Sequence, residues 1–279
     1  MKQRLITAAI GIALFIPVLI FSDTWAYPAA MSLLAAVAAF ELLGCTKIVK
    51  KWAISVPVML LCALVPLSVR LFDSTTAFLA VFAAVLFAYL LYSFTISVFC
   101  FGSYLFADAA TSMTTILYIG GAFAAMVMLR DVLYGEYLYL LAFLAPWISD
   151  AFAYFGGRAW GKKKLIPAVS PNKTVAGSLS ALILTPVATV LFGIAVCFFF
   201  EKDLSPNYLG LALMGIVLSA AGQIGDLIAS AIKRQYNIKD YGNILPGHGG
   251  ILDRFDSILT TSPLLFVYSL LPAAFHIFK

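Results

Sequence analysis

Uninterrupted apolar runs recur along nearly the whole chain, and they constrain its fold more than any other feature. A helix rising about 1.5 Å per residue needs about 20 residues to cross roughly 30 Å of hydrocarbon. Runs near that length fall at residues 5–21, 25–44, 53–69, 76–100, 109–129, 137–156, 177–200, 207–232 and 257–277. With 63% of the 279 residues hydrophobic and 11% charged, no soluble core of this size could bury them. Backbone groups in lipid must pair within their own segment, so the runs are expected to be helices, with Pro17, Pro57, Pro146, Pro186 and Pro263 tolerated inside them. The predicted fold class is all-α: a polytopic integral-membrane bundle of about nine transmembrane helices, from the nine runs above.

The run after Met1-Lys2-Gln3-Arg4 is longer than a signal-peptide core and reads as a first span. Nine crossings with a cytoplasmic N-terminus leave only Arg70, Arg130, Lys202 and Lys279 on the far side, and put the other fourteen of the 18 lysines and arginines inside. One integrated membrane domain is expected, with N-terminal helices over residues 1–135 and a motif-rich region over 136–279. Cys45, Cys62, Cys100 and Cys197 show no paired spacing and read as small buried hydrophobes rather than a disulfide framework. The 2 histidines exclude a zinc site recognisable by spacing. No GxSxG, HExxH or Walker A sequence occurs. The basic residues flank spans, and no nucleic-acid partner is expected.

The polar residues concentrate in two loops, 157–174 and 233–256, both on the inner side. Entering the second, Asp226, Ser230 and Lys233 stand at i, i+4 and i+7 and share one helical face. An acid inside a span is costly and is a functional candidate. Gly247, Gly249 and Gly250 then make a turn whose backbone N–H groups can approach an anion. Asp253 and Asp256 follow at the start of the last run, where carboxylates suit magnesium completed by phosphate oxygens. His248 reads as a phosphate contact. The first loop begins beyond Asp150, a second intramembrane acid, and ends Ser170-Pro171-Asn172-Lys173-Thr174, whose hydroxyls, amide and ammonium suit a phosphate. Glu41, a third intramembrane acid, has no motif around it and reads as structural.

Ser230-Ala231-Ile232-Lys233-Arg234, then Lys239-Asp240-Tyr241-Gly242, then residues 245–256 (LPGHGGILDRFD) resemble the signature of the phosphatidate cytidylyltransferases, or CDP-diacylglycerol synthases. Residues 150–158 and 170–174 also resemble that family, and the likeness is good over roughly 140–279. One departure is Ala176, where the family has an acid. The resemblance implies that CTP and phosphatidate give CDP-diacylglycerol and pyrophosphate with Mg²⁺, at the cytoplasmic side of the plasma (inner) membrane. It implies Asp226 and Asp253 as metal ligands; beside them, the chemistry of the reaction suggests Asp256 or Asp150 for a second shell or a second cation, monovalent or divalent. Lys233 joins Asp226 and Asp253 as catalytic. Ser170, Asn172, Lys173, Thr174, Ser230, Arg234, Lys239, Asp240, His248, Gly249, Gly250, Arg254 and Asp256 would bind substrate. A homodimer is compatible with the resemblance.

Three other readings compete. A CTP-dependent enzyme of an ether-lipid phosphate would share the chemistry. CDP-alcohol phosphotransferases and intramembrane prenyltransferases need more aspartates packed on helices, and leave the glycine turn unexplained. An ion-coupled transporter would use Glu41, Asp150 and Asp226 as coupling sites but calls for inverted repeats, whereas the polar motifs lie in one half.

Overall fold

In a computed structural model, helices occupy every predicted run. The structure describes residues 2–244, 247, 249–272, 277 and 278, and for residues 2–8, 10 and 12 the backbone alone. The helices are α1 (Lys2–Ile20), α2 (Ala26–Cys45), α3 (Trp52–Ser68), α4 (Thr75–Phe99), α5 (Phe106–Thr115), α6 (Gly121–Arg130), α7 (Gly135–Trp160), α8 (Val175–Phe199), α9 (Tyr208–Gln235), α10 (Leu252–Phe255) and α11 (Ile258–Ser269). A π-turn at Ile116–Gly120 joins α5 to α6, so together they fill one predicted span. The prolines at 17, 57, 146, 186 and 263 lie inside helices as expected.

Among the described residues, seven helices have the length and apolarity to cross a bilayer. The expected count of about nine is not confirmed among them. The last run forms a helix of 12 residues, about 18 Å, which is short of the hydrocarbon thickness. It lies along α9: Thr260 donates to the Ala221 carbonyl at 2.8 Å and Tyr268 to the Gly210 carbonyl at 2.8 Å, and beyond it Asn207 donates to the Ile277 carbonyl at 2.9 Å. The first run is the helix α1, most of whose leading side chains lie outside the described residues.

The chain divides into two compact units, one of Met1–Met128 with Tyr236–Phe255 and the other of Leu129–Gln235 with Asp256–Lys279. In the first, the Arg70 guanidinium donates to the carbonyls of Ser22 and Thr24, tying α3 to the α1–α2 connection. Lys51 forms an ion pair with Asp108, which also accepts the Leu105 N–H at 2.7 Å at the start of α5. Cys45 and Cys62 are buried here, as expected of small hydrophobes. Cys197 of the second unit is also buried, whereas Cys100 is exposed at the end of α4.

In the second unit, α7, α8, α9 and α11 pack through small residues and hydroxyl bonds, the usual means by which helices associate where lipid is as apolar as leucine. Thr189 of α8 donates to the Leu211 carbonyl of α9 at 2.9 Å. A β-carbon on Gly215 would lie 2.6 Å from the Pro186 backbone, so α9 can cross α8 here only with glycine. Gly215→Val should therefore cost about 1–3 kcal/mol, read as a fall in thermal unfolding temperature in detergent.

Candidate active site

Between α7 and α8 the chain makes an antiparallel hairpin, β1 (Lys164–Ile166) with β2 (Ser170–Thr174), pairing Lys164 with Thr174 and Ile166 with Ser170. Thr174 ends the hairpin and caps α8, its hydroxyl accepting the Gly177 N–H at 3.1 Å. The cap is wedged among glycines: a β-carbon on Gly157 or Gly161 would stand 2.8 Å from the same hydroxyl oxygen. The Ser-Pro-Asn-Lys-Thr segment is thus anchored at its end. Asn172 and Lys173 line a cavity of about 490 Å³, together with Asp150, Tyr154, Arg158 and Gln223.

On α9, Ser230 donates to Asp226 Oδ1 at 3.4 Å, the i, i+4 stripe read from the sequence. The Lys173 ammonium forms an ion pair with Asp226. Asp150 of α7 interacts electrostatically with both of them. Gly225 lets the start of α11 come close, since a β-carbon there would lie 2.7 Å from the Asp256 carbonyl oxygen. Asp256 is in consequence a near neighbour of Asp226 in charge. Burial first, and then the charges of Asp226 and Asp150, push its carboxyl up to about 7, against the pull of the Ser257 N–H and of Lys233.

Three carboxylates and two ammonium groups therefore share one polar region of a unit otherwise built of apolar helices. Among the described residues, no three acidic, histidine or cysteine side chains converge tightly enough to hold an ion by themselves. Magnesium does not require that. It takes one or two carboxylates and completes its octahedron with water and substrate phosphates. Hard oxygen donors whose mutual repulsion a cation would relieve fit that ion.

A buried polar ladder supports the same region. The Ser178 hydroxyl donates to Gln223 Oε1, Gln223 Nε2 donates to Ser219 Oγ at 3.2 Å, and Ser219 meets Ser149 at 2.9 Å. Sequence reasoning missed Gln223 and Ser178, both of which line the cavity. The available signal was a glutamine three residues before Asp226 in a span otherwise apolar at that depth.

The glycine turn belongs to the other unit. There Asp253 Oδ2 accepts the N–H of Tyr241 at 2.9 Å and of Gly250 at 3.0 Å, closing the loop on itself. Gly249 has φ of 83°, a left-handed conformation suited to glycine, and a β-carbon on it would lie 2.8 Å from Asp253 Oδ2. Glu41 also reaches this loop, accepting the N–H of Ile251 at 3.0 Å and of Leu252 at 2.8 Å. Sequence reasoning left it as structural, although an acid buried in a span was itself a signal.

The remaining candidates are distributed as follows. Ser170 is half-buried at the start of β2, and Arg234 donates to the Val169 carbonyl at 3.4 Å, bracing the hairpin turn against the end of α9. Lys239, Asp240 and Arg254 are exposed. His248 lies outside the described residues. Of the four candidate metal ligands, Asp150, Asp226 and Asp256 are in the second unit and Asp253 is in the first.

Serial apolar helices bearing carboxylates, ammonium groups and a glycine turn define a multi-pass membrane protein equipped to handle polyanions. Comparison with known proteins narrows this. The sequence profile described as the cytidylyltransferase family matches residues 2–271. A phosphatidate cytidylyltransferase of Staphylococcus haemolyticus is 37% identical over 271 residues, covering 95% of this chain and 97% of the relative. One of Bacillus subtilis is 34% identical over 272 residues, covering 95% and 96%. One of Staphylococcus saprophyticus is 37% identical over 269 residues, covering 95% and 97%. The chain belongs to the cytidylyltransferase family. These likenesses do not favour the transporter reading or the phosphotransferase and prenyltransferase readings.

Proposed function

We propose that this chain transfers the cytidylyl group of CTP to phosphatidate, releasing pyrophosphate and leaving CDP-diacylglycerol in the membrane. The observation that carries the reading is the Lys173–Asp226 pair beside Asp150 in the cavity, in a chain of this family. A phosphate oxygen of the lipid attacks the α-phosphorus of CTP, and the bond from that phosphorus to the α,β-bridging oxygen breaks. Both reactants are anions, so the chief task is to offset repulsion and hold them in line. Lys173 and Arg158 line the cavity and supply positive charge there. Magnesium held by Asp226, with Asp256 and Asp150 near it, would supply charge against the triphosphate and the departing pyrophosphate. The resemblance assigns Asp253 to the metal as well. No strong base is required, because a phosphate monoester is already ionised at neutral pH.

The nucleotide comes from water and the lipid from the leaflet, which suits a site at helix ends. With nine crossings and a cytoplasmic N-terminus, fourteen of the 18 basic residues fall on the side of that site, which supports a cytoplasmic orientation in the plasma membrane. The test is to incubate purified protein with phosphatidate, radiolabelled CTP and Mg²⁺. CDP-diacylglycerol identified by mass, with one pyrophosphate per product, is expected. No product with phosphatidate, but product with an ether-lipid phosphate, would replace the acyl substrate by the ether one.

A further inference from the structure

We propose that Glu41 is a positioning residue for CTP, fixing from α2 the backbone at 250–252 in the glycine-rich loop that the resemblance assigns to substrate. The proposal rests on the reading of the chain as a CTP-using enzyme.

Glu41 is 4% exposed and lies 210 residues before the first amide it binds. Its two carboxylate oxygens are divided between successive amides, Oε1 on Ile251 and Oε2 on Leu252. Leu252 opens α10, where the first N–H groups have no partner within the helix. Both sides of the loop close on the same carboxylate. A β-carbon at Gly242 or at Gly250 would collide with Glu41 Oε1, so both glycines give it room. Immediately beside it, Asp253 binds Tyr241 and Gly250. Four backbone amides at 241, 250, 251 and 252 are thereby fixed by two carboxylates, one local and one distant in sequence.

Stability alone is a poor account of this arrangement. A serine or asparagine could satisfy an orphan amide without burying a charge in a span. Here Glu41 also lies within electrostatic reach of Asp253, a like charge that raises the cost. Charge-assisted bonds from both oxygens hold the turn with less play than a neutral cap would. The N–H groups of 241, 250, 251 and 252 are taken by the two carboxylates, so the clamp acts by fixing where the loop lies and where Asp253 stands, and small displacements of substrate-positioning groups are costly to rate.

The test uses the full-length enzyme in phosphatidate-containing mixed micelles, with Glu41→Gln, Glu41→Asp and Glu41→Ala. Glutamine keeps the size but places an NH₂ against one of the two amides. Its kcat/KM for CTP is expected to fall about tenfold or more, with the KM for CTP raised, the KM for phosphatidate unchanged and the unfolding temperature lowered as for one unmet buried amide. Glu41→Asp should lie between. Hydrogen exchange of residues 250–252 gives a readout independent of turnover: these amides, bonded to Asp253 and Glu41, should exchange slowly in wild type without CTP and about tenfold faster or more in Glu41→Gln. A Glu41→Gln enzyme within twofold of wild type toward CTP overturns the proposal. So does a loss in which kcat falls with the folded fraction while the KM for CTP stays put. If Glu41→Ala does not fold, the glutamine and aspartate variants decide. If wild type makes no CDP-lipid, the functional reading fails, and the exchange comparison still judges the clamp.

Discussion

Asp226→Asn should lower CDP-diacylglycerol formation by about 10²–10³-fold or more, the usual scale for deleting one preorganised electrostatic group at a reacting phosphate. Asparagine preserves volume and can keep an oxygen toward Ser230, which donates to Asp226 Oδ1. What disappears is the charge that pairs with Lys173. Removing one member of a buried pair usually destabilises, because the other charge is left alone. Here Asp150 remains in electrostatic reach of Lys173 as a substitute counter-charge for its buried Nζ, and Asp226 is partly exposed, at 27%. The fold should therefore tolerate the change, with the unfolding temperature shifted by less than about 4 °C, as for a loss under about 1 kcal/mol. Activity, magnesium response and unfolding in detergent would be measured side by side. More than a tenth of wild-type activity in the folded variant would remove Asp226 from the metal assignment.

Much of this site was readable because it is local in sequence. Asp226 and Ser230 meet since a helix puts i and i+4 on one face, and the apolar run fixed the helix. The spans were readable because hydrocarbon thickness sets a length that composition reveals. The last run is where apolar length alone leaves the number of crossings unconfirmed. Its apolar length suffices, yet α11 is only 12 residues long and ends at Ser269. The pairing of Lys173 with Asp226 was not readable, because it depends on a hairpin turning residues 164–174 back toward α9, and polar loops carry no periodicity to forecast that. Glu41 was least readable of all. Its partners are backbone amides, which every residue has, and they lie beyond two hundred positions away.

These differences locate where the chain departs from a simple bundle. Apolar helices in lipid have little reason to prefer one neighbour over another, so small residues and hydroxyl bonds decide their packing. Gly215 and Thr189 do this at the α8–α9 crossing, and Gly225 with Thr260 does it where α11 meets α9. The second of these crossings adjoins Asp226 and Asp256. The close approach that settles the packing also brings two like charges together, an arrangement that costs stability until a cation offsets it.

Asp253 presents the other large effect, and here two substitutions separate two roles. Its Oδ2 accepts two backbone amides, from Tyr241 and Gly250, so the residue shapes the loop whatever else it does. Asp253→Asn can keep an oxygen on those amides while losing the charge. Asp253→Ala loses both, and leaves two N–H groups of a partly buried loop without this acceptor, at about 1–3 kcal/mol each where water does not replace it. If the charge serves a metal, both variants should lose about 10²–10³-fold in activity, and only alanine should also lower the unfolding temperature. If the carboxylate serves the loop alone, asparagine should stay within tenfold of wild type while alanine fails. The comparison needs activity at saturating Mg²⁺, since a weakened ligand set reveals itself first as a raised metal requirement. An asparagine variant that regains wild-type rate at high Mg²⁺ would place Asp253 among the metal-holding groups even though its loop bonds survive. One that stays near wild type at every Mg²⁺ concentration would leave it a loop-closing residue.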